Sequence, residues 1–126
     1  MDNTTNKKTV FVIEDDMLLI KAYQIKFEKE GVTVWTATDG KEAFSYLDKP
    51  CPDVVLLDLL LPGISGFDIL TAIRKNDRWK DVPVLVLTNL GQSSDVEKAK
   101  ALGVTDYLVK ANTKINDIVG RVKKYL

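Results

Sequence analysis

DVVLLDLLLPGISG, residues 53–66, is the stretch whose reading decides the fold. DVVLLDL (53–59) is apolar at nearly every position and does not alternate with polar residues. That pattern marks a strand buried on both faces, not one with a wet side. An acid, Asp58, stands near its end. LPGISG (61–66) follows with Pro62, Gly63 and Gly66, the residues of a turn. FDILTAIRKN (67–76) then reads as a helix. A doubly covered strand, a turn and a helix make a β-α unit, and such a unit is stable only when others flank it.

Outward from that stretch the same unit recurs. TVFVIE (9–14), VTVWTA (32–37), VPVLVLT (82–88) and VTDYLVK (104–110) read as strands, with Pro83 tolerable only near a strand start. MLLIKAYQIKFEKEG (17–31), DGKEAFSYLDK (39–49), SSDVEKAKALG (93–103) and TKINDIVGRVKKYL (113–126) read as helices. Gly31 and Gly103 are helix stops, and Ser93 or Ser94 offers an N-cap. In the first helix Leu18, Ala22 and Ile25 form one apolar row and Ile20, Tyr23 and Phe27 another, which together predict a wide buried face. In the last helix Ile115, Ile118, Val119, Val122 and Leu126 keep helical spacing, with Lys123 and Lys124 near its negative end. Five β-α units predict a three-layer, doubly wound α/β domain with a five-stranded parallel sheet and right-handed crossovers. Residues 1–8 read as a frayed tail and 9–126 as the domain.

The composition excludes whole classes of chemistry. The chain has 126 residues, no His and one Cys. Without His there is no Ser-His-Asp or Cys-His machinery and no His-ligated zinc. A lone Cys51 forms no internal disulfide, and it is expected partly buried and inert. Eighteen basic and eighteen acidic residues give a formal net charge of zero, so nothing pulls the chain toward nucleic acid or anionic membrane. No apolar run approaches a membrane span and the N-terminus lacks a signal-type apolar region, so the expected compartment is the cytoplasm. Trp35 and Trp79 are expected to pack, and Asp106 to be a solvated charge.

Doubly wound sheets place their sites at the carboxyl ends of the strands. There the sequence sets Glu14, Asp15 and Asp16 after the first strand, Asp58 after the third, Thr88 after the fourth and Lys110 after the fifth. Singly, each has an ordinary explanation: acids cap helices, and Asp, Thr and Lys close strands. Together they are complementary. Crowded carboxylates repel unless a cation joins them. Oxygen ligands without His or Cys suit Mg²⁺, with Mn²⁺ as the alternative. Such a site suits phosphoryl transfer, with a carboxylate as nucleophile and a Lys and a hydroxyl on the phosphoryl oxygens.

The segments VFVIEDD (10–16), DVVLLDLLLPGISG (53–66), VPVLVLTN (82–89) and KALGVTDYLVK (100–110), in this order and spacing, resemble the receiver domain of bacterial two-component response regulators. The family is typified by the single-domain chemotaxis regulator, and the resemblance covers about residues 8–126. It implies the flavodoxin-like strand order 2-1-3-4-5. It implies Asp58 as phosphoacceptor, with Asp15 on Mg²⁺ directly, Glu14 directly or through water, and the backbone carbonyl of Leu60 as a further ligand. It implies Lys110 and Thr88 on the phosphoryl group, and Tyr107 as an aromatic switch that turns inward when Thr88 moves. The donor would be a sensor histidine kinase or a phosphotransfer protein. The output would be a protein target, or a phosphorylation-linked dimer, meeting helix 4, strand 5 and helix 5. No DNA-binding segment is visible, so no direct nucleic-acid contact is expected. The domain would catalyse only its own phosphorylation and dephosphorylation, and would not turn over an external substrate.

Two positions depart from the family pattern. Ala111 follows Lys110 where the family has a cis-proline, so a trans bond is expected there. Asn89 follows Thr88 where a small residue is usual. Asn89 is expected to shift phosphorylation kinetics from the family norm, and the apolar side chains of Leu60 and Leu90 to hinder an attacking water and lengthen the phosphoryl lifetime. Two other classes compete with the receiver reading. A nucleotide-binding or hydrolytic enzyme on the same fold lacks its phosphate loop here, since Glu14–Asp15–Asp16 stand in that place. A phosphorylation-independent interaction module is the alternative that the departures keep alive.

Overall fold

Each apolar run forms a strand, and the strands lie parallel in the order β2-β1-β3-β4-β5. The structure is a computed structural model that describes residues 7–126. Residues 1–6 of the expected tail lie outside the described residues. The strands are β1 (Thr9–Ile13), β2 (Thr33–Ala37), β3 (Val54–Leu57), β4 (Val84–Thr88) and β5 (Asp106–Val109). The helices are α1 (Met17–Lys29), α2 (Gly40–Ser45), α3 (Gly66–Lys75), α4 (Ser93–Ala101) and α5 (Ile115–Lys123). Strand β3 is central, with Ile13 of β1 opposite Leu57 and Val84 of β4 opposite Val55. It is buried throughout, as are Val84–Thr88 of β4. The edge strands β2 and β5 are only half-buried, because a parallel sheet covers its middle first.

Strand alternation divides the core in two. On one face Val10, Val12, Leu56, Leu85, Leu87 and Leu108 meet Ile20, Tyr23 and Phe27 of α1 and Ile118, Val119 and Val122 of α5. On the other, Phe11, Ile13, Leu57 and Val86 meet Ile69, Leu70 and Ile73 of α3, with Trp79 fully buried beside them. The Trp79 indole donates to the Lys49 carbonyl at 3.0 Å, and Trp35 is half-buried against Phe11 and Tyr46. Both tryptophans therefore pack, as expected.

The structure corrects several expectations. Helix α1 buries only the row Ile20, Tyr23 and Phe27. Leu18 and Ile25 are 83% and 52% exposed, because the sheet and α5 pack against the other side of α1. Helix α2 ends at Ser45 and passes into a 3-10 turn over Tyr46–Asp48. Helix α5 starts at Ile115, after a 3-10 turn over Lys110–Asn112. The N-cap of α4 is Gln92, whose side chain makes no capping bond, rather than a serine. Cys51 is exposed, since it precedes β3 in a surface connection. Asp106 is not simply solvated, for it pairs with Arg121 at 2.6 Å.

Glycine acts as expected at the ends of α1 and α4. Gly31 and Gly103 have φ of 75° and 85°. The N–H groups that follow them, of Val32 and Val104, return to Phe27 and Ala99. That bonding closes a left-handed C-terminal turn that residues with a Cβ adopt at a cost. Gly66 serves a different need. A Cβ there would strike the Leu59 Cα and lie 2.6 Å from the Asp58 carbonyl, so only glycine lets α3 start against the end of β3. Gly66→Ala is expected to cost about 2 kcal/mol through this overpacking, measured by urea denaturation. An unchanged midpoint would mean that the helix start moves away freely.

Candidate functional site

The three acids after β1 separate into two roles. Asp16 is the N-cap of α1: its Oδ1 accepts from the N–H groups of Leu18 at 3.0 Å and Leu19 at 3.3 Å. Glu14 is 2% exposed and continues the line of β1 into the fold. Its Oε2 accepts from the Asp16 N–H at 3.1 Å. Asp15, between them, is exposed. Helix capping therefore accounts for Asp16 and leaves the other two free for a different task.

The register carries Glu14 and Asp58 to neighbouring positions, each one residue beyond the Ile13–Leu57 pair. Asp58 is 4% exposed. Its Oδ1 accepts from the Leu60 N–H at 3.0 Å and its Oδ2 from Lys110 Nζ at 2.7 Å. Lys110 comes from the end of β5, beyond β4, and its Nζ also lies 2.6 Å from Glu14 Oε1. One ammonium thus bridges two nearly buried carboxylates. Asp15 completes the cluster: carboxylate oxygens of Glu14, Asp15 and Asp58 all lie within 4.8 Å of one another. Three carboxylates facing one ammonium leave excess negative charge in a desolvated place, and that favours a cation with hard oxygen ligands.

Thr88 is fully buried, and its Oγ1 accepts a long bond from the Leu90 N–H at 3.4 Å. It stands at the same sheet edge, but it bonds the following loop and not Asp58 or Lys110. Tyr107 is half-buried. Its hydroxyl donates to the Leu90 carbonyl, so Thr88 and Tyr107 hold the same loop residue. Leu60 meets Asp58 through its N–H, while its side chain is 49% exposed. Asn89 is exposed. The 110–111 peptide bond is trans, as expected with Ala111 in place of proline. The structure thus brings together Glu14, Asp15, Asp58, Leu60 and Lys110, and sets Thr88 and Tyr107 on the adjoining loop. Leu90 was legible only as an apolar side chain. Its carbonyl, which Tyr107 uses, belongs to every residue and leaves no sequence signal.

Burial raises the Glu14 carboxyl above its ordinary pKa of 4.5, and the bonds from Lys110 and the Asp16 N–H offset this only in part. Burial pulls the Lys110 ammonium down, but its bonds to Asp58 and Glu14 outweigh that and leave it above 10.5. The signs for stability are opposite. Glu14 binds its proton more tightly when folded, so stability without divalent cations falls as pH rises from 4.5 through the folded Glu14 pKa. The Lys110 contribution is complete below 10.5 and is lost as pH rises through its folded value. Glu14→Gln is expected to flatten the acid-side slope in denaturation curves taken at a series of pH values in EDTA. An unchanged slope would place that titration on another group.

Comparison with known proteins agrees with this geometry. The response regulator receiver domain family matches residues 10–123. A probable transcriptional regulator of Guillardia theta, ycf27, is 36% identical over 104 residues, covering 82% of this chain and 40% of that protein. The DNA-binding dual master transcriptional regulator RpaA of Synechocystis is 33% identical over 117 residues, covering 93% of this chain and 48% of its own. The chain spans about half the length of the curated relatives it matches. Among solved structures, the chemotaxis protein CheY4 of Vibrio cholerae superposes with a TM-score of 0.86 at 27% identity, over 95% of this chain and 99% of that one. Among the described residues no helix is long and apolar enough to cross a membrane. The family match leaves only the two chain ends outside it and takes in every strand end that builds the acidic edge, and on that ground the chain belongs to the response regulator receiver domains, whose general function is phosphorylation on an aspartate.

Proposed function

We propose that Asp58 is the phosphoacceptor of this receiver and that the domain accepts its phosphoryl group in a Mg²⁺-dependent reaction. The observation that carries this is the single ammonium of Lys110 bridging Asp58 and Glu14 at 2.7 and 2.6 Å, with Asp15 beside them. Glu14, Asp15, Asp58 and the Leu60 carbonyl are the oxygen donors for the ion, with Mn²⁺ as a substitute. When bound, the ion offsets the charge of the acids and of the incoming phosphoryl group.

The donor is a phosphohistidine on a sensor histidine kinase or a phosphotransfer protein, since this chain has no histidine of its own. A carboxylate oxygen of Asp58 forms the new P–O bond. The P–N bond breaks, and its electron pair leaves with the donor's imidazole. The Leu60 N–H and Lys110 hold the two Asp58 oxygens and so orient the carboxylate for attack. Lys110 then moves to a phosphoryl oxygen, and the Thr88 hydroxyl donates to another.

Phosphorylation replaces the single negative charge of the Asp58 carboxylate with a phosphoryl group of roughly −1.5 to −2 and three strong acceptor oxygens at one buried point. Thr88 and Tyr107 both hold Leu90, so a shift of Thr88 is felt by the aromatic ring. The signal passes from there to the face formed by α4, β5 and α5, where a downstream protein or a second copy of the chain docks. A nearly complete switch requires about 5.5 kcal/mol of differential stabilisation, within reach of a lysine, a hydroxyl and a metal acting together. In this reading the protein acts in the cytoplasm, turns over no external substrate, and makes no nucleic-acid contact through the residues described.

The test is intact mass after incubation with acetyl phosphate. A single added phosphate is expected with Mg²⁺ and none in EDTA. No gain with Mg²⁺ would overturn the proposal in favour of a phosphorylation-independent interaction module.

A further inference from the structure

Tyr23 carries a hydroxyl that the resting arrangement does not use. It lies in α1, is 1% exposed, and its oxygen has no hydrogen-bond partner among the described residues. Leaving a buried hydroxyl unpaired costs stability that a phenylalanine of the same shape would not lose.

Its position gives the hydroxyl a neighbour. Tyr23 packs in the core that includes Val12, Leu56 and Leu108. Side chains two apart on a strand share a face. Two residues past these three stand Glu14, Asp58 and Lys110, so the bridged cluster stands at the end of the sheet face that Tyr23 covers. Helical side chains lean toward their N-terminus, and α1 begins directly after Glu14–Asp15–Asp16. The ring therefore leans toward the acidic edge from below. The charges that most oppose ionisation of its phenol are Glu14, then Asp58, then Asp16, after burial itself.

At rest Glu14 Oε1 is bound by Lys110 and Oε2 by the Asp16 N–H. When Lys110 transfers to the phosphoryl group, the Glu14 carboxylate loses that hydrogen-bond donor and keeps only the Asp16 N–H beside the ion. We propose that Tyr23 is a positioning residue for the accepting state: its hydroxyl donates to the Glu14 carboxylate, directly or through one water, once Lys110 has left it. This rests on the phosphoacceptor reading above. A tyrosine at this place then exchanges a resting-state penalty for a bond formed only as the phosphoryl group arrives.

The test is Tyr23→Phe in the full chain, together with NMR of the wild type labelled at the tyrosine rings. Four tyrosines are present, and the variant identifies the Tyr23 signal. Denaturation in EDTA should show the variant at least as stable as the wild type. Phosphorylation by acetyl phosphate and Mg²⁺ should slow about fivefold, the equivalent of one neutral hydrogen bond. The Tyr23 resonance of the wild type should shift on phosphorylation and stay in place in Asp58→Asn. A wild type that takes phosphate, with the variant matching its rate and an unmoved Tyr23 resonance, overturns this inference alone. A variant less stable in EDTA shows that the hydroxyl is already bonded at rest, and overturns it too. A wild type that takes no phosphate overturns both this inference and the phosphoacceptor reading.

Discussion

Asp58→Asn is expected to abolish phosphate uptake and leave the fold intact. An amide is not a nucleophile toward phosphorus, so the loss is complete, not graded. The amide oxygen can still accept from the Leu60 N–H, the bond now made to Oδ1 at 3.0 Å. The amide NH₂ then faces Lys110, donor against donor, and the ammonium moves wholly onto Glu14. The lost ion pair and the relief of carboxylate repulsion oppose one another, so stability is expected to change by no more than about 1 kcal/mol. Intact mass and urea denaturation measure the two effects. A variant that still gains a phosphate in the presence of Mg²⁺ places the acceptor at another residue.

Lys110→Ala is expected to damage both stability and chemistry, in ways that separate. Its Nζ is the side-chain partner of Glu14 and of Asp58 Oδ2, two residues whose side chains are 3% and 4% exposed. Without it, two near-buried carboxylates face each other unpaired. The cost is about 3 kcal/mol, in the lower part of the range for breaking a buried pair because Lys110 itself keeps some contact with water. Saturating Mg²⁺ should recover much of that loss, since a cation at the acids restores the missing charge. Phosphorylation should not recover with it. Removing a preorganised donor from a transferring group slows the reaction by about 10²–10³-fold. If Mg²⁺ restored both stability and rate, Lys110 would be a counter-ion only and would have no part in the transfer.

These two variants also mark how far the sequence alone could be read. Asp58 was legible because complementary groups stand at the neighbouring strand ends and because DVVLLDLLLPGISG around it resembles the family's segment. Lys110 was legible from its place at a strand end and from the family segment around it. By residue type alone Glu14, Asp15 and Asp16 were not separable, although the family resemblance singled out Glu14 and Asp15. Three successive acids before a helix are chemically alike, and only the turn geometry shows that Asp16 caps α1 while Glu14 points inward. The same limit explains α1. Leu18 and Ile25 have the spacing of core residues, yet which apolar row is buried depends on how the helix is rotated against the sheet and α5. That rotation is set by contacts with residues far away in the chain.

The phosphorylation reading has a similar division. The absent histidine and the balanced charge are properties of composition alone, and the first implies that a phosphohistidine donor lies outside these 126 residues. The zero net charge conceals an unbalanced spot, because a sum over the chain carries no positions. Gly66 likewise reads in sequence as one more turn glycine, and its steric role against Leu59 and Asp58 becomes visible only when α3 is set against β3.

What the sequence by itself determined is the alternation of elements, the parallel class of the sheet and the residues at its carboxyl edge, because period, apolar run length and turn chemistry are local properties. What only the tertiary structure decided is which groups meet: one ammonium between two carboxylates, a hydroxyl and a phenol holding the same loop, and a second phenol with no hydrogen-bond partner among the described residues. Those meetings join residues from β1, α1, β3, β4 and β5. Their physical cause is the register and twist of five strands packed together, which no single stretch of the chain contains.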